Sequence, residues 1–235
     1  MVRNCGYRPH VRRYIAGTQR HEMNEIKFIP LVELATKKDK ESKIVPEGTP
    51  LNNTRKWDLY HQSELSKNYK NIPRPISSGV YQYRLFDIEI KDLERAIKLH
   101  IADLDISESC SLFGGYAISV DDNIELYPQC CGLLEEIKQW KKILDEDFKD
   151  FYLLECHPAP LVTKNGNKII IYCKDDDESF IPPTKEIIVL DYQKTKSAFL
   201  ELIDELEEFS VKVNTLSDNF ETKNIAEILI WGNNA

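Results

Sequence analysis

The chain has 235 residues, of which 42% are hydrophobic and 30% charged, and it carries a net charge of -8 at pH 7. That length can bury a sizeable core, and the near-average composition excludes a disordered, collagen-like or membrane-bundle protein. Its acidity repels phosphate backbones, so nucleic acid is not an expected partner, and no stretch approaches the ~20 apolar residues of a membrane helix.

Charge is distributed unevenly. Residues 1–22 hold Arg3, Arg8, Arg12, Arg13 and Arg20 against Glu22 alone, so the acidity belongs to the rest of the chain. This arm has neither an apolar signal region nor sustained periodicity. It is expected to be a basic N-terminal extension preceding one domain over residues 23–235. Without an export signal the protein is expected to be cytoplasmic, with Cys5, Cys110, Cys130, Cys131, Cys156 and Cys173 reduced.

Residues 26–34 form a strand in which Pro30, unable to donate to a ladder, points to an edge position. The polar stretch from Thr36 to Arg55, with Pro46, Gly48 and Pro50, reads as an exposed loop. Trp57, Tyr60, Leu65 and Tyr69 mark a short helix that ends before Pro73 and Pro75. Val80–Ile90 has strand alternation, and Asp92 is positioned to cap a helix carrying Leu93, Ala96, Ile97 and Ile101 on one face.

Residues 113–127 give the clearest hairpin, with Asp121-Asp122-Asn123 as a tight turn between two alternating segments. Leu133–Leu144 has the apolar spacing of a helix packed on a sheet. Strands follow at 151–155, 161–163 and 168–173, the last two joined where Asn165 and Gly166 supply positive φ angles, and another strand spans Glu186–Leu190. A strong amphipathic helix covers Lys194–Phe209, and a last helix ends near Trp231 and Gly232. Hairpins outnumber crossovers, which predicts a single α+β domain with a mainly antiparallel sheet and helices packed on one face.

Signatures for nucleotide, cofactor or metal binding are absent from the sequence, and no catalytic motif is present. Tyr127-Pro128-Gln129-Cys130-Cys131-Gly132 places two thiols near a helix start, where a dipole lowers a thiol pKa, so a cysteine-dependent enzyme or thiol redox protein is one alternative. The simpler expectation is that Cys130 and Cys131 fill space beneath the turn. Zinc at Cys130, Cys131, Cys156 and His157 is disfavoured because adjacent ligands cannot both point at one ion. Asp175, Asp176, Asp177 and Glu178 lack the alternation of a calcium loop, and Gly114-Gly115 is weak as a phosphate cradle because it enters a strand.

Residues 175–221 carry thirteen acidic residues against Lys185, Lys194, Lys196 and Lys212, the strongest charge bias in the chain. Such a surface steers a basic protein partner, and Trp57, Tyr60 and Tyr69 are candidate aromatic anchors. The expected contact residues are Glu201, Asp204, Glu205, Glu207 and Glu208.

Phe113-Gly114-Gly115-Tyr116, the following hairpin, and Tyr127–Gly132 leading to Trp140 resemble bacterial immunity proteins, the cytoplasmic antidotes of polymorphic and contact-dependent toxin systems. The α+β pattern is also similar to the SUKH immunity superfamily. The resemblance covers about thirty residues and implies a non-enzymatic inhibitor with an acidic surface matched to a basic toxin domain. It transfers no site residues. A non-catalytic adaptor is the third alternative.

Overall fold

A computed structural model describes residues 24–37 and 44–232. The basic arm, Cys5 and part of the 36–55 loop lie outside those residues. Two antiparallel sheets are present where the sequence suggested one. The first has the order β2-β3-β1-β4-β5, with β1 at Ile26–Glu33, β2 at Pro75–Ser77, β3 at Val80–Arg84, β4 at Gly114–Val120 and β5 at Asn123–Leu126. The second runs β6-β7-β8-β9, with β6 at Asp150–Tyr152, β7 at Leu161–Asn165, β8 at Lys168–Tyr172 and β9 at Ile187–Asp191.

β1 is the central strand of its sheet, not an edge, so Pro30 needs a different explanation. Glu33 N–H donates to Phe113 O on the β4 side, and strand alternation therefore aims even-numbered residues of β1 towards β3. Pairing with β3 stops at Leu31↔Arg84. Pro30 thus falls just beyond the ladder on its nitrogen side and forfeits no bond, while the pairing with β4 continues through Pro30↔Tyr116.

The β4–β5 turn is as expected: Asp121 and Asp122 have φ of 50° and 62°, the two left-handed positions of a primed hairpin turn. Between β7 and β8 only Gly166 is left-handed, at φ 58°. Asn165 instead pairs with Lys168, so the two loop residues are Gly166 and Asn167, with glycine taking the first position as in a II′ turn.

α1 covers Thr54–Leu65 and α2 Ile90–Ile101. Asp92 does not cap α2. It lies buried inside the first turn, where its carboxylate accepts the backbone N–H groups of Lys70 and Asn71 at 2.9 and 2.7 Å, fastening the chain after α1. The predicted helix at 133–144 is segmented: a 3-10 turn at Leu134–Glu136, α3 at Ile137–Trp140, and another 3-10 turn at Lys141–Leu144. α4 runs from Tyr192 to Asn214, capped by Asp191 Oδ1 accepting Lys194 N–H at 3.0 Å, and α5 covers Ile225–Leu229.

One core unites both sheets. Phe28 of β1 meets Trp140 and Phe199 edge-on at ring separations of 5.0 and 5.5 Å, and Trp140 meets Phe151 of β6 at 5.6 Å. Trp140 and Phe199 are fully buried. Each such side chain contributes about 1.5–3 kcal/mol on leaving water. Because the sheets share this core, the described residues form one α+β domain.

Candidate functional site

α4 separates its faces sharply. Thr195, Ala198, Phe199, Leu202, Leu206, Phe209 and Val213 are buried, while Glu201, Asp204, Glu205, Glu207 and Glu208 are all exposed on the opposite arc. Among the described residues none of these five carboxylates has an ion-pair partner. Leu200 and Val211 are exposed beside them, at 45% and 71%. Glu201 and Glu205 also edge a groove of about 250 Å³ where α4 crosses β1, opposite Lys27, Arg84 and Phe86. That groove opens where pairing between β1 and β3 has ended.

The remaining acids of 175–221 do not form one continuous element with this face. Asp175–Glu178 belong to the β8–β9 connection, at the Tyr172↔Ile187 end of that pair, whereas α4 departs from the Lys168↔Asp191 end. Asp175 Oδ1 accepts the N–H groups of Asp177 and Glu178 at 2.9 and 3.0 Å, a self-contained turn with exposed side chains. Asp191 is used as a helix cap and also accepts Asn167 Nδ2 at 3.0 Å.

A second feature is built around the Tyr127–Gly132 turn. Gly114 N–H donates to Gly132 O at 2.8 Å, and His157 N–H donates to Cys130 O at 2.9 Å, so this turn is tied to both β4 and the chain after β6. The approach explains Gly114-Gly115: a Cβ on Gly114 would collide with the Leu31 carbonyl oxygen, and one on Gly115 would sit 3.1 Å from Glu136 Oε2. These glycines admit close backbone contact instead of cradling a phosphate.

Beside the turn lies a cleft of about 680 Å³, lined by Glu33 and Leu34, by Tyr81–Tyr83 of β3, by His61 of α1, by Glu178, Ser179, Ile181 and Pro182, and by Gln129, Cys130 and His157. Gln129 is buried and ties the turn to the Ile181 segment, its Oε1 accepting Ile181 N–H while its Nε2 donates to Tyr127 O within the turn, both at 2.8 Å. Gln82 Nε2 donates to Pro128 O at 3.0 Å. His61 stacks on Tyr81 at 3.5 Å, and its burial disfavours the imidazolium. Burial likewise pushes the Glu33 carboxyl above its usual range. Among the described residues the lining contains two carboxylates and no lysine or arginine.

Beneath the turn, Glu136 is 2% exposed, and burial raises its carboxyl to about 8. Its Oε1 has no hydrogen-bond partner among the described residues. Cys156 lies beside it, with Sγ donating to Leu153 O at 3.2 Å, and burial followed by the Glu136 charge pushes that thiol far up.

Cys130 and Cys131 correct an expectation: both are exposed, not packed under the turn. Cys131 has φ 65°, and this left-handed residue directs the pair outwards. The structure brings His157 next to Cys130 through the backbone, which no local pattern revealed. A hydrogen bond with Cys131, then burial, raises the Cys130 thiol, opposite to what a helix-start nucleophile requires. Among the described residues no three His, Cys, Asp or Glu side chains are grouped to hold a metal ion. Of the aromatic anchors, Tyr69 is buried with its hydroxyl donating to Ala35 O at 2.6 Å, whereas Trp57 and Tyr60 are half-buried and meet edge-on at 5.8 Å.

Sequence reasoning found the α4 acids and the thiols but missed the cleft. His61, Tyr81, Gln129 and Glu178 come from four separated segments, and only the Pro-rich run after Glu178 hints at a fixed wall. Among the described residues no helix is long and apolar enough to cross a membrane. No family model, no curated protein and no solved structure matches the chain.

Proposed function

We propose that this chain is a non-catalytic binding protein, an antidote that neutralises a cationic protein partner such as a toxin domain through the outer face of α4. The observation that carries the reading is the set Glu201, Asp204, Glu205, Glu207 and Glu208, exposed together and without an ion pair among the described residues. Unpaired acids on a rigid helix cost nothing to release from internal partners and attract a basic surface over a Debye length. Exposed Leu200 and Val211 add apolar contact to the same face.

The reading is tested by reversing three charges, Glu201→Lys, Glu205→Lys and Glu208→Lys, and measuring affinity for a basic partner domain at several salt concentrations. If a large secreted protein ending in a small basic domain is encoded beside this gene, that domain is the partner to use. Binding is expected to weaken at least tenfold at low salt and to lose most of its salt dependence. Equal binding by the reversed variant sinks the assignment of α4.

A thiol enzyme is the rival reading, and the backbone bridge between Cys130 and His157 is what favours it. The raised Cys130 thiol weighs against it, as does the lack of a hydrogen bond between the His157 ring and Cys130 Sγ. Iodoacetamide labelling at neutral pH separates the two, because an activated nucleophile reacts much faster than an ordinary exposed thiol.

A further inference from the structure

Cys130 and Cys131 are consecutive, both exposed, and their Sγ atoms lie 3.4 Å apart. Successive side chains of an extended chain point to opposite faces, which would separate the two sulfurs. Here the left-handed Cys131 turns them towards each other. The arrangement is held by backbone bonds on both sides: His157 N–H to Cys130 O at 2.9 Å, Gly132 N–H to Gln129 O at 3.2 Å, and Gly114 N–H to Gly132 O at 2.8 Å.

We infer that Cys130 and Cys131 form a reversible modification site, at which a hydroperoxide converts the two thiols into a disulfide between adjacent residues. With hydrogen peroxide, one sulfur takes an oxygen to become a sulfenic acid, and the first water is released. The neighbouring thiol then attacks that sulfur; the S–O bond breaks, the S–S bond forms, and the departing hydroxide leaves with the thiol proton as the second water. Two thiols lose two electrons and two protons, and one peroxide is reduced to two waters.

The spacing of the pair also sets how easily the bond is undone. Adjacent Cα atoms are about 3.8 Å apart, closer than the roughly 4.4–6.8 Å that relaxed disulfides span. A bond formed there is strained and exposed, the combination that makes a disulfide readily reduced. The site therefore serves as a reversible mark and not as a structural cross-link. Other described thiols do not compete: Cys156 and Cys173 are buried, and Cys110 faces His100 at 3.8 Å instead of a second thiol. Cys130 also lines the cleft, so the disulfide would form at its wall. The site is separate from the α4 face and stands whether or not the partner proposal does.

The experiment uses the full chain with Cys5→Ser and Cys110→Ser, treated with hydrogen peroxide at neutral pH, alkylated, digested and mapped by mass. The peptide containing Cys130 and Cys131 is expected to be two hydrogens lighter and unalkylated, and to regain double alkylation after glutathione. As a second measurement, phenylarsine oxide, which bridges two thiols on one arsenic, is expected to protect both cysteines in that chain. It should leave the remaining thiol free in Cys130→Ser or Cys131→Ser. Persistent double alkylation after peroxide overturns the inference, as does a sulfinic acid on one cysteine beside a free thiol on the other, or a failure of the arsenical to protect the pair.

Discussion

α4 and the segment from Tyr127 to Trp140 both carry carboxylates close to the core, yet they treat them in opposite ways. On α4 the acids are lifted into water by a helical period that buries Phe199, Leu202 and Leu206 beneath them. In the turn segment Glu136 is driven inwards, because Gly115 and Gly132 let the backbone close over it. Solvated charges contribute little to stability and stay available to a partner. A buried carboxyl couples the fold to pH and is available to nothing outside.

The sharpest way to break that contrast is pH, and Glu136 is expected to give the largest effect. Below about 4.5, its ordinary value, both folded and unfolded chains hold the proton and the contribution is complete. Between there and about 8 the unfolded chain releases the proton while the folded chain keeps it, so stability falls as pH rises. The slope from this group is up to about 1.4 kcal/mol per pH unit, and its contribution is gone above the folded value. Urea unfolding at pH values across this window should show the decline in the wild type and a much flatter profile in Glu136→Gln. An unchanged slope in the variant would mean that Glu136 is ionised in the fold.

Backbone crowding comes next. Gly114→Ala places a Cβ against the Leu31 carbonyl at a residue with φ 148°, and a loss of about 3 kcal/mol is expected in the same unfolding assay. Wild-type stability would show that β1 and β4 can separate at this end without cost. Asp92→Ala removes the acceptor for two backbone donors in a buried position, with an expected loss of about 2 kcal/mol. Calorimetry of Asp92→Ala therefore measures how firmly the chain after α1 is fastened to α2. The smallest change belongs to α4: the triple reversal at Glu201, Glu205 and Glu208 should alter stability by no more than about 0.5 kcal/mol, a result that makes its binding defect interpretable. A large destabilisation there would erase the distinction between the two regions.

Local pattern made much of the fold legible. The period of α4, the left-handed Asp121-Asp122 turn and the approximate positions of the strands follow from neighbouring residues, whose spacing and conformational preferences act over a few positions. Pro30 misled because its effect depends on which neighbour its nitrogen faces, a matter of sheet order. Asp92 looked like a cap because the pattern cannot show that Lys70 and Asn71 return to it. Glu136 gave no warning at all: within Leu-Glu-Glu it is indistinguishable from Glu135, and only the glycine-lined approach of β4 decides which of the two is enclosed.

By itself the sequence determined an acidic, α+β chain and a helix whose carboxylates must face water once its apolar stripe is buried. Tertiary structure decided the rest: two sheets sharing one core, the cleft assembled from distant segments, and the exposure of Cys130 and Cys131 beside His157. The physical reason is range. Periodicity and turn preference act along the chain, whereas enclosure and cross-chain hydrogen bonds depend on which remote surfaces meet.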